Sequence, residues 1–269
     1  MDFKDKVVVI SGSSQGIGKA TAQAFLSLGC KVVINGRKKE TLMKTHNELA
    51  ESGGNVFAVK ADVSNPAEAK QLINKTFSKY GRIDILINNA GFSMRGKIED
   101  LDPIVFQQSF TVNVLGTANL TIYALPYIKQ SKGSIVFISS LAGVRGLPGL
   151  SAYCSSKLAL QGIAESLRIE EAQSGIHVGL VQISQTEVDQ NKVAMDATGE
   201  MVPLPDRSHL KVTPKVEVVK AILNNIRKRE FITTMTLLGK LNVLMQSLAP
   251  GLLEKILIKN IDRILARSV

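Results

Sequence analysis

Strand-length apolar runs, each followed by a longer segment of helical spacing, limit what this chain can fold into more than any other feature. The runs lie near Lys6 to Ser11, Lys31 to Asn35, Val56 to Lys60, Ile83 to Asn88, Ser134 to Ser139 and His177 to Gln182, with a last one near Phe231 to Thr236. Such alternation marks βαβ units and a parallel sheet. Continuous β-branched stretches such as Val7-Val8-Val9-Ile10 have no polar face, so these strands are expected to be covered by helices on both sides. The predicted class is α/β, a doubly wound parallel sheet of about seven strands with helices on both faces and amphipathic helices at its C-terminal end.

After Gln182 the alternation stops. Ser184 to Lys211 is polar, mixed in charge, and holds Pro203 and Pro205 without a clear period. Insertions of that length in compact domains are commonly lids or binding loops, so residues 184–212 are expected to form a substrate lid, with disorder as the alternative. Pro214 suits the first turn of a helix capped by Thr213 and running to Arg229. Residues 237–269 form a predicted helical extension, where Leu241, Leu244, Leu248, Leu252 and Ile256 recur at helical spacing and Pro250-Gly251 divides two short helices. The uncharged run between Lys240 and Glu254 is too short to span a bilayer. Lys255, Lys259, Arg263 and Arg267 leave three partners open for this tail: the body of the protein, a second subunit, or a membrane surface.

The formal net charge of +10 raises the question of nucleic acid. Its basic residues are scattered and no aromatic side chains are interleaved to stack bases, so no nucleic-acid partner is expected, and attraction for anionic ligands or lipid surfaces accounts for the charge. Cys30 and Cys154 are the only cysteines, and no cysteine or histidine spacing suits a metal. No metal site is expected. A cytoplasmic location follows from the cysteine usage and from the opening Met1 to Lys6, which is polar and leads straight into a strand.

Two clusters carry chemistry. In Gly12-Ser13-Ser14-Gln15-Gly16-Ile17-Gly18 the glycines lie between the first strand and an alanine-rich helix. A backbone without β-carbons can approach a pyrophosphate closely, and the free N–H groups of the helix start favour its charge. The second strand ends Asn35-Gly36-Arg37-Lys38 with no carboxylate to bind a ribose, and the Arg37 fork suits a 2′-phosphate, so NADP(H) is expected rather than NAD(H). The second cluster is Tyr153 and Lys157, four residues apart and hence on one helix face, with Ser140 at the carboxyl end of the preceding strand. A tyrosine with an ordinary pKa of about 10 needs a neighbouring cation to exchange protons near neutrality, and a hydroxyl nearby can polarise a carbonyl.

On these residues the sequence resembles the short-chain dehydrogenase/reductase family, from about Val7 to Val181. The matching pieces are Gly12-x-x-x-Gly16-Ile17-Gly18, Asp62-Val63, Asn88-Asn89-Ala90-Gly91, Asn113-Val114-x-Gly116, Ser140 and Tyr153-x-x-Ser156-Lys157, with the family's usual thirteen-residue step from Ser140 to Tyr153. The resemblance implies a Rossmann-type fold, with residues 1–269 as one NAD(P)-binding domain. It implies that Tyr153 is the general acid in reduction and the base in oxidation, that Ser140 polarises the substrate oxygen, and that Lys157 holds the nicotinamide ribose and lowers the tyrosine pKa. Asn113 would support a water chain from Lys157. Asp62 and Val63 match adenine contacts, and Asn89, Ala90 and Gly91 match the turn that closes over the cofactor. Homodimers or homotetramers are implied through the helices bearing Asn113 and Tyr153.

The chain departs from the family in two places. Members usually carry Pro-Gly after the sixth strand, followed by a threonine that reaches the nicotinamide; here the run is Ile183-Ser184-Gln185-Thr186, with Thr186 as the expected hydroxyl. Gln15 stands where NADP-preferring relatives often have a basic residue. The expected function is an NADP(H)-dependent oxidoreductase acting on a carbonyl or secondary alcohol. An apolar ketone is the expected substrate, because Phe92, Met94, Leu141, Val144 and Leu147 lie near the expected site, and the chain's ending resembles that of relatives acting on steroids and fatty carbonyls, which implies a compound of that kind. The alternative is an NADP(H)-binding redox sensor or membrane-associated scaffold without turnover.

Overall fold

A computed structural model describes residues 2–189, 193–204 and 212–268. Among them, seven strands form one parallel sheet: β1 (Val7–Ile10), β2 (Lys31–Gly36), β3 (Val56–Lys60), β4 (Ile85–Asn88), β5 (Ser134–Ser140), β6 (His177–Ile183) and, numbered last in the chain, β9 (Ile232–Thr234). Their order across the sheet is β3-β2-β1-β4-β5-β6-β9. The chain winds outward from β1 to β3, then returns to place β4 on the other side of β1. That reversal opens a crevice at the carboxyl ends of β1 and β4, the place where open α/β sheets bind ligands.

Side chains of one strand alternate between two cores, as the pleat requires. Val8 and Ile10 pack with Phe25 of α1 (Gly16–Ser27), Leu42 and Leu49 of α2 (Lys39–Glu51), and Ile222 of α7 (Lys215–Lys228). Val9 packs on the opposite face with Leu72 of α3 (Pro66–Tyr80), Leu120 of α5 (Gly116–Ser131) and Leu160 of α6 (Ser151–Glu170). Local chemistry sets the ends of these helices. Asn65 accepts from the N–H groups of Ala67 and Glu68 before Pro66 starts α3, and Gly81 stops it at φ 70°. Between α4 (Pro103–Phe110) and α5, Thr111 to Leu115 widen into a π turn that carries Asn113.

Three expectations are corrected. The segment from Ser184 shows no period in the sequence, yet it contains a hairpin of β7 (Val193–Met195) and β8 (Met201–Pro203), which backbone hydrogen bonds of Met195 tie to Ser93 and Arg95. Strands of three residues around Asp196 to Gly199 leave no periodic trace in the sequence. The parts of the expected lid at 190–192 and 205–211, including Pro205, lie outside the described residues. Thr213 does not cap α7, because its backbone pairs with Thr186 and its hydroxyl with Ser184, leaving Pro214 at the cap.

The tail holds three helices rather than two: α8 (Leu237–Leu248), α9 (Pro250–Lys259) and α10 (Ile261–Ser268). The Asn260 amide donates to the Ile256 carbonyl and marks the second break. No single helix among the described residues is long and apolar enough to cross a membrane, and α8 and α9 bend by 118° at their junction. Side chains beyond Leu265, including that of Arg267, lie outside the described residues.

Candidate active site

The turn after β1 is built on close backbone approaches. Gly12 and Gly16 both take φ +61°, a left-handed conformation that favours glycine. A β-carbon on Gly12 would lie 2.8 Å from Ala90 Cα, and one on Gly18 would lie 2.5 Å from the Gly12 carbonyl oxygen. Asn89 joins the two turns, its amide donating to the carbonyls of Ser11 (2.9 Å) and Gly12 (3.0 Å). Ser13 is buried and serves the turn itself, with its hydroxyl donating to Ile10 and accepting from the Asn35 N–H. Ser14 accepts at its carbonyl from Thr45, Gln15 is exposed at the start of α1, and Ile17 packs against the core. The backbone cradle, with no room for β-carbons at Gly12 and Gly18, suits the pyrophosphate of a dinucleotide.

At the ends of β2 and β3 the expected adenosine residues come together. The Arg37 guanidinium stands 3.8 Å from the Asp62 carboxylate and is 63% exposed. Asp62 also accepts from the Ser64 N–H and hydroxyl, while Val63 is buried against Gly116. This carboxylate orients Arg37 without covering it, leaving the fork open to an anion.

Asn113 is fully buried and makes three side-chain bonds of 3.0 Å: its oxygen accepts from the Phe92 N–H, and its amide donates to the Phe92 carbonyl and the Ser156 hydroxyl. It thereby staples the Ala90–Gly91 turn to α6. A β-carbon on Gly91 would fall 2.8 Å from Asn113 Oδ1 and 3.6 Å from Lys157 Nζ, so these groups flank one small space. Lys157 is only 6% exposed. Its ammonium donates to the Ile138 carbonyl at 2.9 Å and lies 5.9 Å from the centre of the Tyr153 ring. Ser140 ends β5, two residues beyond Ile138, and its hydroxyl accepts from the Ala142 N–H at 3.1 Å. The sheet edge thus brings Ser140, Tyr153, Lys157 and Asn113 into one neighbourhood. Cys154, inside the same motif, is 1% exposed and burial pushes its thiol pKa up, which leaves it as packing.

An apolar wall stands beside the phenol. Met94, Val105 and Ala152 form a small buried cluster, and Tyr153 packs against it together with Phe92, Leu101, Phe106 and Met195. Phe92 and Met94 are expected from the sequence; Leu101, Phe106 and Met195 are not, and they arrive from two separate segments, one around α4 and the other on β7. Leu141 instead meets α8 at Gly239, where a β-carbon would be 2.9 Å away. The Thr186 hydroxyl is turned onto the Ser184 carbonyl at 3.0 Å, and Thr186 is buried. Also missed was Asp189, whose carboxylate accepts from the Gly16 N–H at 2.8 Å.

Comparison with known proteins agrees with this geometry. The short chain dehydrogenase family matches residues 6–198. An uncharacterized oxidoreductase of Thermotoga maritima is 36% identical over 217 residues, which cover 80% of this chain and 84% of that protein. Dehydrogenase/reductase SDR family member 7B of Bos taurus is 31% identical over 262 residues, covering 94% and 81% respectively. The 11-beta-hydroxysteroid dehydrogenase 1A of Arabidopsis thaliana is 32% identical over 258 residues, covering 93% and 73%. In fold, the chain superposes on a short chain dehydrogenase/reductase from Burkholderia phymatum in complex with NAD at TM-score 0.82 and 23% identity, over 94% of this chain and 96% of that one. With this sheet order, this glycine cradle and matches across most of its length, the chain belongs to the short-chain dehydrogenase/reductase family of oxidoreductases, whose members bind a nicotinamide cofactor.

Proposed function

We propose that this protein is an NADP(H)-dependent reductase of an apolar carbonyl compound, run in reverse as an alcohol dehydrogenase. One observation carries the reading: a buried ammonium, Lys157, is held on the Ile138 carbonyl of β5, two residues before Ser140, and lies 5.9 Å from the Tyr153 ring. When bound, the nicotinamide supplies or takes the hydride. Tyr153 gives its phenolic proton to the carbonyl oxygen, and the Ser140 hydroxyl donates a hydrogen bond to the same oxygen. Lys157 favours the phenolate left behind, since a nearby opposite charge stabilises the ionised form. Asn113 acts by position, fixing α6 against the turn at Phe92. The glycine turn and the Asn89–Gly91 turn hold the cofactor, with Thr186 nearby, and Arg37 selects the 2′-phosphate. The apolar wall around Tyr153 supports a hydrophobic substrate, and the named activity of the Arabidopsis relative supports a steroid-like one.

Two further surfaces belong to the proposal. The helices bearing Asn113 and Tyr153 expose Leu115, Ile122, Leu158 and Ile169, which supports a dimer or tetramer formed there. Met195 bonds to Ser93 and Arg95 beside the site, which supports the expected role of its segment as a lid. The test is consumption of NADPH, with NADH in parallel, against ketones, aldehydes and ketosteroids. Turnover is expected on an apolar member, and Tyr153→Phe should cut it by about 10²- to 10⁴-fold. Binding without turnover on any compound would replace this reading with a redox sensor, and undiminished turnover in the variant would remove Tyr153 from the chemistry.

A second reading has its own observation. In the loop from Ser140 to Tyr153, Nε and Nη1 of Arg145 are buried without a hydrogen-bond partner. Buried charged donors left unanswered are costly, and an anionic group on the substrate would answer them. A keto acid preferred over its methyl ester, with the preference lost in Arg145→Met, would favour this reading.

A further inference from the structure

The N-terminus of α1 already holds an anion, and it belongs to the protein. Asp189, 173 residues away in sequence, accepts the Gly16 N–H with one carboxylate oxygen at 2.8 Å. Its other oxygen is paired with the ammonium of Lys215, in the first turn of α7. Helix α1 has no acidic residue in its first turn, and Gln15 makes no side-chain cap. Free N–H groups at a helix start attract negative charge, and here Asp189 supplies it. The approach of Asp189 is guided by its own segment: Glu187 N–H donates to Thr213 at 2.9 Å, Thr213 N–H donates to Gln185 at 2.8 Å, and Lys215 N–H donates to the Glu187 carboxylate at 3.1 Å.

We propose that Asp189 is a built-in competitor for the diphosphate subsite, and that Lys215 is a cofactor-binding residue which this carboxylate masks. The inference rests on the dinucleotide reading of the Gly12–Gly18 turn. Binding transfers the Gly16 N–H and the Lys215 ammonium from carboxylate to phosphate oxygens, and like-charge repulsion drives Asp189 out. The segment 184–189 then moves with it. Because Ser184, Gln185 and Glu187 are hydrogen-bonded to Thr213, the exchange couples cofactor entry to the segment that follows β6. Affinity in such a system is reduced by the fraction of molecules in which the competitor is seated.

The experiment titrates NADPH and NADH separately, by fluorescence and calorimetry, into wild type, Asp189→Ala, Asp189→Asn and the double variant Asp189→Ala/Lys215→Gln. Urea unfolding midpoints check that each is folded. Removing the carboxylate is expected to tighten both dinucleotides by about fivefold to tenfold, because the diphosphate is common to both. Adding Lys215→Gln to Asp189→Ala should weaken both by at least about tenfold, the scale of one charge-assisted hydrogen bond. Inorganic pyrophosphate should raise the melting temperature more in Asp189→Ala than in wild type. Unchanged affinity in folded Asp189→Ala and Asp189→Asn would overturn the competitor, and an equal affinity of Asp189→Ala with and without Lys215 would overturn the role of that lysine. If wild type and variants alike bind neither dinucleotide, the reading of the glycine turn falls, and this inference with it.

Discussion

Around the β1–β4 crevice, Gly12 and Gly18 let backbones touch, Gly91 lets the Asn113 side chain approach, and Ser11, Ser13, Asn35 and Asn89 bond to one another. In α8 and α9 the opposite holds: Leu237 is 84% exposed, Leu238 77% and Leu248 75%, although the leucines recur at the spacing that builds the core elsewhere. One region is complete within a single chain. The other has formed its secondary structure and left its apolar face open. The difference teaches where a substitution should register. A methyl group added at the crevice disturbs shape and hence cofactor binding, whereas a charge added to the tail should leave the fold intact and disturb what the tail touches.

The sharpest way to break that contrast is Gly18→Ala. Gly18 sits in helical conformation within α1, where alanine alone would gain about 1 kcal/mol over glycine. Its β-carbon, however, would meet the Gly12 carbonyl at 2.5 Å and Ser13 Cα at 2.8 Å, both backbone atoms that cannot swing aside. Overpacking of this kind costs about 1–3 kcal/mol, so a net loss in stability is expected in urea unfolding, with NADPH affinity falling sharply. Gly162→Ala on α6 is the control, because nothing lies within 4 Å of its added carbon. That variant should gain about 0.5–1 kcal/mol. Equal effects at the two sites would show that the cradle is not sterically closed.

Arg37→Glu probes the same crevice at its adenosine end and should have a smaller effect. Exposed ion pairs contribute about 0–1 kcal/mol, so loss of the 3.8 Å contact with Asp62 should scarcely change the unfolding midpoint. NADPH should nevertheless weaken by at least about tenfold, through loss of a charged hydrogen bond to the 2′-phosphate. NADH affinity should change far less. Parallel losses for both cofactors would place Arg37 outside the 2′-phosphate site.

How much of this was legible in the sequence follows from the range of each interaction. The seven strands of the sheet and the grouping of Ser140, Tyr153 and Lys157 rest on local periodicity and on strand ends, which a sequence displays directly. Asp189 at Gly16 could not be read, because nothing local distinguishes a carboxylate that caps a helix from one in solvent. The β7–β8 hairpin was missed because three-residue strands carry no period. The tail's helices were expected, but their second break depends on one amide, that of Asn260, turning back to Ile256. The end of the second strand and the guanidinium fork point to Arg37 as a phosphate ligand, and the resemblance matches Asp62 to adenine, but the ion pair between them required the fold.

The tail supplies the smallest expected change in stability and decides what completes it. Packing on the body accounts for Gly239 against Leu141, and Leu253 of α9 is buried, but Leu237, Leu238, Leu241, Leu244 and Leu248 stay exposed. We propose that an anionic lipid surface covers these leucines, since Lys240, Lys255 and Lys259 are exposed on the same two helices and the chain carries +10 overall. Leu241→Asp/Leu244→Asp should shift the unfolding free energy by no more than about 0.5 kcal/mol per site, as expected for exposed positions. The same pair should abolish cosedimentation with vesicles containing phosphatidylserine, and added salt should weaken wild-type binding because the lysines contribute through charge. If wild type ignores vesicles and the double variant instead turns a dimer into a monomer in sedimentation, a second copy of the chain is the partner. The tail would then resemble the crevice after all, complete within the protein once the assembly is counted.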